Sequence, residues 1–241
     1  MNTKHISSAF DRDLEGAHAM LMKMAGLINE AMMRAAEALE TSNLEMAEAV
    51  RRNDKAIDEL EERIKIDCAR ILATRSPNAG DLRTVLSVMS IASNLERCGD
   101  YAKNIAKRTS VLAHTHLVKD VSLALRRMQK AVVGMMTDAL DAYTRRDVEI
   151  AQEVRARDFE IDEMYNTLFR SLLTHMMEEP HSISACMHLH FIAKNIERMG
   201  DHTTSIAEQV IYLVTGELPD DDRPKGDLTS LSSPDAFDGT A

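Results

Sequence analysis

From about residue 8 to residue 215, apolar side chains recur every third or fourth position. That spacing gathers them on one side of an α-helix of 3.6 residues per turn. The pattern breaks at Thr41-Ser-Asn43, Ser76-Pro-Asn-Ala-Gly80, His114-Thr-His116, Arg145-Arg-Asp147 and Glu178-Glu-Pro-His-Ser182, which predicts six long helices. Pro77 and Pro180 end helices because proline lacks the amide donor and drives the residue before it out of the α region. Asp81 and Ser182 are the expected N-caps of the helices that follow.

The breaks fall at matching places because the chain repeats itself. Asn53-Asp54-Lys-Ala-Ile57-Asp58-Glu59-Leu60 corresponds to Arg157-Asp158-Phe-Glu-Ile161-Asp162-Glu163-Met164 at an offset of 104 residues. Further on, Asn94-Leu-Glu96-Arg97-Cys-Gly99-Asp100 corresponds to Asn195-Ile-Glu197-Arg198-Met-Gly200-Asp201 at an offset of 101. The expected architecture is all-α: two tandem, sequence-related three-helix bundles, 8–114 and 117–216, each closing three amphipathic helices around one apolar seam. Residues 217–241 hold seven acidic and two basic residues and few large apolar ones, and are expected to be a disordered acidic tail.

Composition agrees with packed helices. The 241 residues include 16 Met but no Trp, and aromatics make up only 4 %. With 9 Gly and 5 Pro there is too little turn chemistry for a many-stranded β fold. The net charge of −10, without a Lys/Arg cluster, argues against a nucleic-acid partner. Cys68, Cys98 and Cys186 are three widely spaced cysteines without a Cys-x-x-Cys pair, so neither a disulfide framework nor a thiolate zinc site is indicated and a cytoplasmic location fits. No apolar leader opens the chain, and no run approaches the roughly 20 apolar residues of a membrane span.

The candidate chemistry is acidic. Glu-Arg-x-Gly-Asp occurs twice, and the i,i+4 spacing stacks Glu96 on Asp100 and Glu197 on Asp201. On the preceding helix of each unit, Asp54 stacks with Asp58 and Asp158 with Asp162. Like charges so placed repel, and a multivalent cation reverses the sign. On a helical projection Glu197 and Asp201 fall off the stripe of Ile192, Ile196, Ala207, Val210 and Val214 and are not expected in the core; Glu96 and Asp100 likewise lie off that of Ile91, Leu95, Ala102 and Ala106, and Asp54 and Asp58 flank that of Met46, Val50, Ile57, Leu60 and Ile64. If adjacent helices present these flanks to each other, four carboxylates converge on each bundle. Gly99 and Gly200 each cost about 1 kcal/mol inside a helix relative to alanine, so another helix or a ligand must approach their backbone. Oxygen-only ligands favour Mg, Mn or Fe over a structural zinc. The competing readings are a solvated helix face and a carboxylate-bridged metalloenzyme, an oxidase or phosphatase with His190 or His202 moving protons. A ferritin-like di-iron centre is poorly served, since Glu15-Gly-Ala-His18 is one Glu-x-x-His and Glu178-Glu-Pro-His181 spans a proline break. The His114/His116 and His188/His190 pairs have a spacing that does not share a helix face.

Beyond spacing, the chain resembles the PhoU family of phosphate-uptake regulators over about residues 10–216. The likeness rests on Pro77-x-Ala79-x-Asp81-Leu82-Arg83, on Asn94-Leu-Glu-Arg-x-Gly-Asp100 followed by Asn104-Ile105-Ala106, and on the second acidic motif. It departs at Pro180-His-Ser-Ile-Ser-Ala185, which lacks the Asp-Leu-Arg of the first half. The resemblance implies two three-helix bundles and a metal-binding pattern that maps onto Asp54, Asp58, Glu96, Asp100, Asp158, Asp162, Glu197 and Asp201, with Fe, Mn, Mg or Zn as the ion. It further implies a non-enzymatic, cytoplasmic negative regulator of the phosphate-starvation response. Such a regulator, expected as a homodimer, links the phosphate ABC transporter's ATPase to a sensor histidine kinase and reaches the membrane only through its partners.

Overall fold

The computed structural model describes residues 3–75, 77–113 and 119–219. Six α-helices follow in order: α1 (Thr3–Thr41), α2 (Leu44–Arg75), α3 (Ala79–Leu112), α4 (Lys119–Arg145), α5 (Val148–Glu178) and α6 (Ile183–Thr215), with a single 3₁₀ turn, Pro180–Ser182, before α6. No strand occurs among the described residues. His114, His116 and residues 220–241 of the expected tail lie outside them.

The first connection of each half is built in the same way. Ser42 and Arg146 adopt left-handed backbone, φ 52° and 55°. In each turn the next amide bonds back to the preceding helix, Asn43 N to Ala38 O and Asp147 N to Ala142 O, both 2.9 Å, which closes a Schellman motif. The side chain after the left-handed residue then caps the next helix: Asn43 accepts from Met46 N, and Asp147 from Glu149 N and Ile150 N. One residue thus ends one helix and starts another. The second connections differ from expectation. Asn78, not Asp81, caps α3 by accepting from Gly80 N and Asp81 N, and Asp81 lies inside the first turn where its charge suits the helix dipole. Ser182 stands at the head of α6 without a capping bond; its hydroxyl donates to Glu179 O because the proline turn orients it backwards.

α1 and α2 pack on α3, α4 and α5 pack on α6, and α3 packs along α6. The α3–α6 pair is antiparallel: Arg83 meets Gly216 at one end, Cys98 Sγ lies 3.9 Å from Met199 O midway, and Arg108 Nη1 lies 3.1 Å from His188 Nδ1 at the other. Cys98 and Met199 are repeat equivalents, so the halves are related by a pseudo-twofold axis through this seam. Buried Leu21, Met24, Ile28, Ile57, Ile64 and Leu95 fill the first bundle, and Met128, Met136, Ile161, Leu172, Met199 and Val210 the second. Each such side chain contributes roughly 1.5–3 kcal/mol on leaving water. No described helix is long and apolar enough to cross a membrane.

Candidate metal centre

The glycines set the geometry. α2 crosses α3 at Gly99, where an added Cβ would stand 3.1 Å from Ile57 Cδ1 and 3.6 Å from Asp54 Oδ1. α5 crosses α6 at Gly200 in the same way, with Asp158 Oδ1 at 3.3 Å and Ile161 Cγ2 at 3.5 Å. What approaches each glycine is therefore the neighbouring helix. The missing side chain lets an aspartate of α2 or α5 lie down on α3 or α6, which brings the two acidic pairs of each half together.

In the first half Asp54 is 5 % exposed. Its Oδ2 accepts from Lys103 Nζ at 2.5 Å, and the same ammonium reaches Asp100 Oδ1 at 3.3 Å, so it bridges α2 and α3. Oδ1 of Asp54 is buried with no hydrogen-bond partner. Asp58 is exposed and Glu96 half-buried. Both carboxyls are pushed above the usual range by partial desolvation first, then by their neighbours' charges: Asp54 on Asp58, Asp100 on Glu96. Glu61 adds to both shifts. Its carboxylate accepts from Ser93 Oγ at 2.9 Å and pairs with Lys65. Arg97 lies 3.6 Å from Glu96 and 3.7 Å from Asp100.

In the second half Asp158, Asp162 and Glu197 are all buried. Glu197 Oε1 accepts from Lys194 Nζ at 2.9 Å, while Oε2 is buried without a partner. Desolvation raises the Glu197 carboxyl to about 7 against the pull of Lys194, with the charges of Asp201 and Asp162 adding to the rise. Lys194 also sits 4.9 Å above the Tyr165 ring. Across the seam His202 Nδ1 lies 2.8 Å from Asn94 Oδ1, and the Tyr101 and His202 rings are 5.7 Å apart, so a polar link joins the neighbourhoods of the two clusters.

The structure brings the eight expected carboxylates to two helix crossings, four to each, and buries Asp54, Asp158, Asp162 and Glu197; of these, Glu197 is the one that the helical projection had placed outside the core. The reason is that α3 and α6 are covered by several neighbours, so a side chain off the main apolar stripe still faces another helix. Among the described residues no three His, Cys, Asp or Glu side chains stand close enough to chelate an ion as they lie. A lysine ammonium takes the cation's part in each set. The donors otherwise fit a hard cation: all are oxygens, and each set holds one buried carboxylate oxygen that nothing satisfies.

Glu61, Lys103 and Lys194 were missed from sequence. Glu61 follows Asp54 by seven positions and Asp58 by three, and so shares their face, but its repeat equivalent is Tyr165 and the duplication conceals it. Of the histidines set aside on spacing, His188 meets Arg108 and His190 packs among Tyr165, Phe169 and Phe191; His18, of the single Glu-x-x-His, packs with its ring tilted against Tyr143 at 5.3 Å.

Two three-helix bundles fused about a pseudo-twofold seam, each with carboxylates gathered where one helix crosses a glycine of the next, define a duplicated acidic-bundle protein. The family model described as the PhoU domain matches residues 21–109 and 125–210. Among curated relatives, the phosphate-specific transport system accessory protein PhoU homolog of Rhizobium meliloti is 40 % identical over 230 residues, covering 95 % of this chain and 97 % of that protein. The homolog of the same description from Zymomonas mobilis is 45 % identical over 230 residues, with the same coverage of each. Among solved structures, PhoU from Pseudomonas aeruginosa superposes with a TM-score of 0.83 at 36 % identity, covering 86 % of this chain and 100 % of that one. The chain belongs to the PhoU family.

Proposed function

We propose that this chain is a metal-binding accessory regulator of phosphate transport. In this reading it acts in the cytoplasm as a homodimeric adaptor between the phosphate ABC transporter's ATPase and a sensor histidine kinase, restraining the phosphate-starvation response when phosphate is plentiful. The regulatory part rests on family membership and on relatives described as accessory proteins of a phosphate-specific transport system. The metal part rests on one observation: each acidic set keeps a buried carboxylate oxygen without a donor, Asp54 Oδ1 and Glu197 Oε2. Burying such a group unsatisfied costs about 1–3 kcal/mol or more, and a bound cation removes that cost.

Asp54, Asp58, Glu96 and Asp100 would hold cations in the first set, and Asp158, Asp162, Glu197 and Asp201 in the second. Fe, Mn, Mg or Zn would supply positive charge that welds α2 to α3 and α5 to α6. The chain's own part is to present long helical faces, fixed in their spacing by those crossings, to its partners. No group of the chain is asked to catalyse a reaction.

Two measurements test this. Elemental analysis of the full chain purified without chelator is expected to find bound Fe, Mn, Mg or Zn, with less in an Asp100→Asn, Asp201→Asn variant. Metal-free protein whose stability ignores those substitutions sinks the metal reading. Co-purification with the transporter ATPase and the kinase at high and low phosphate tests the adaptor, and no association in either condition overturns it.

A further inference from the structure

α1 and α4 run antiparallel beside each other across the joint between the bundles. Arg126 Nη1 lies 3.2 Å from Glu40 Oε1 near one end, Gln129 Nε2 donates to Met32 O, and the His18 and Tyr143 rings are 5.3 Å apart near the other. The repeat offset of 104 relates the two helices, pairing Met24 with Met128, Met32 with Met136 and Ala35 with Ala139. It also relates the two ends of their contact, and these are not filled alike. At the His18 end Leu140 and Tyr143 are buried. Their equivalents at the Glu40 end are Ala36 and Leu39, and His18 is matched by Ser122. Both rings are therefore absent from the Glu40 end, and a cavity of about 600 Å³ opens there, lined also by Ile105 of α3 and by Ile192 and Ile196 of α6.

That space would hold about 20 waters at roughly 30 Å³ each, far more than one bridging water, and it lies within the ~300–1,000 Å³ of small-molecule sites. Gln129 supplies a polar anchor. Its side chain lines the cavity, and the residue is 8 % exposed. Met32 O can accept only from the nitrogen end of the amide, so the Met32 bond fixes which way the group points. Met32 is not part of the lining, and among the described residues no donor meets Gln129 Oε1. An acceptor held among apolar side chains without a donor is costly, and a ligand N–H relieves that cost. At the mouth Arg126 is engaged by Glu40, whereas Lys130 makes no ion pair among the described residues. None of the eight carboxylates at the helix crossings lines the cavity.

We propose that this cavity binds a purine-sized heteroaromatic ring, which lies in the apolar slot and donates an N–H to Gln129 Oε1. A fused six- and five-membered ring matches the phenol and imidazole that fill the other end, and nucleosides and nucleotides carry such a ring. Lys130 stands where the phosphate of a nucleotide would emerge. Touching α1 and α3 of one bundle and α4 and α6 of the other, the bound ring ties the halves together, independently of any metal.

Isothermal titration calorimetry of the full chain tests this with adenosine, AMP and purine riboside, whose ring lacks the exocyclic amine. Adenosine is expected to bind saturably, and purine riboside about tenfold more weakly, the worth of one hydrogen bond. Ala36→Leu, which installs the residue found at the filled end, is expected to abolish adenosine binding. Gln129→Ala, which installs the equivalent of Ala25, is expected to make adenosine and purine riboside equal. Either variant decides the matter if the other fails to fold. AMP binding more tightly than adenosine, with the gain lost in Lys130→Ala, identifies a nucleotide as the source of the ring; AMP binding no more tightly identifies a nucleoside, and both uphold the site. Absence of saturable binding by adenosine and AMP overturns the proposal, as does binding that Ala36→Leu and Gln129→Ala leave unchanged.

Discussion

Glu197 shows what a single residue can hide. The i,i+4 spacing from Asp201 marked it as one of a pair, and that much is local and legible. Its burial was not legible, because a helical projection knows only one apolar stripe, whereas α6 is covered from three sides by α3, α4 and α5. Glu61 escaped for the opposite reason: repetition served as the filter, and the residue has no acidic twin. Burial of Glu197 has a consequence for pH. Its carboxyl, normally near 4.5, rises to about 7 in the folded, metal-free protein, so protonation favours folding. That contribution is fully present below about pH 4.5 and is lost as pH climbs through about 7. Asp58 and Glu96 are shifted in the same direction. The thermal midpoint of chelator-stripped protein should therefore rise between pH 8 and pH 5.5, and Glu197→Gln should flatten that rise. Parallel profiles for wild type and variant would count against the assignment.

At the scale of the helix, the sequence spoke most clearly where it stopped being periodic. All five breaks coincide with the observed ends or fall beside them, since proline, glycine and the Asx caps act within a few residues of where they stand. The identity of each cap was harder to read. Asp81 and Ser182 have the right chemistry, but only backbone geometry selects the residue whose side chain faces the free amides, and Asn78 sits in extended backbone while Ser182 is already helical. The contrast is measurable by urea denaturation. Asp147→Ala removes the carboxylate oxygen that accepts from two backbone amides and should cost about 1 kcal/mol, whereas Ser182→Ala should cost no more than a few tenths. A Ser182→Ala penalty as large as that of Asp147→Ala would mean that α6 is capped in some other way.

For the molecule as a whole, the duplication forecast two bundles but not how they meet, because no local pattern says which helix of one half lies against which of the other. The answer is α3 against α6, antiparallel along their length. A joint so long, continuous with both cores, should make the halves unfold together. Leu95→Ala, which empties a fully buried position of the first bundle, is expected to lower stability by about 2–5 kcal/mol and to shift one unfolding transition instead of splitting it in two. Separate transitions, with the second bundle's unchanged, would show the halves to be independent. The same joint bears on how the protein can change over time. In a symmetric pair of separate chains every mutation is made twice, and neither partner can specialise alone. Two halves joined in one chain across a pseudo-twofold axis escape that constraint, and the difference between Leu140, Tyr143 and His18 at one end of the α1–α4 contact and Ala36, Leu39 and Ser122 at the other is one place where this chain has used the freedom.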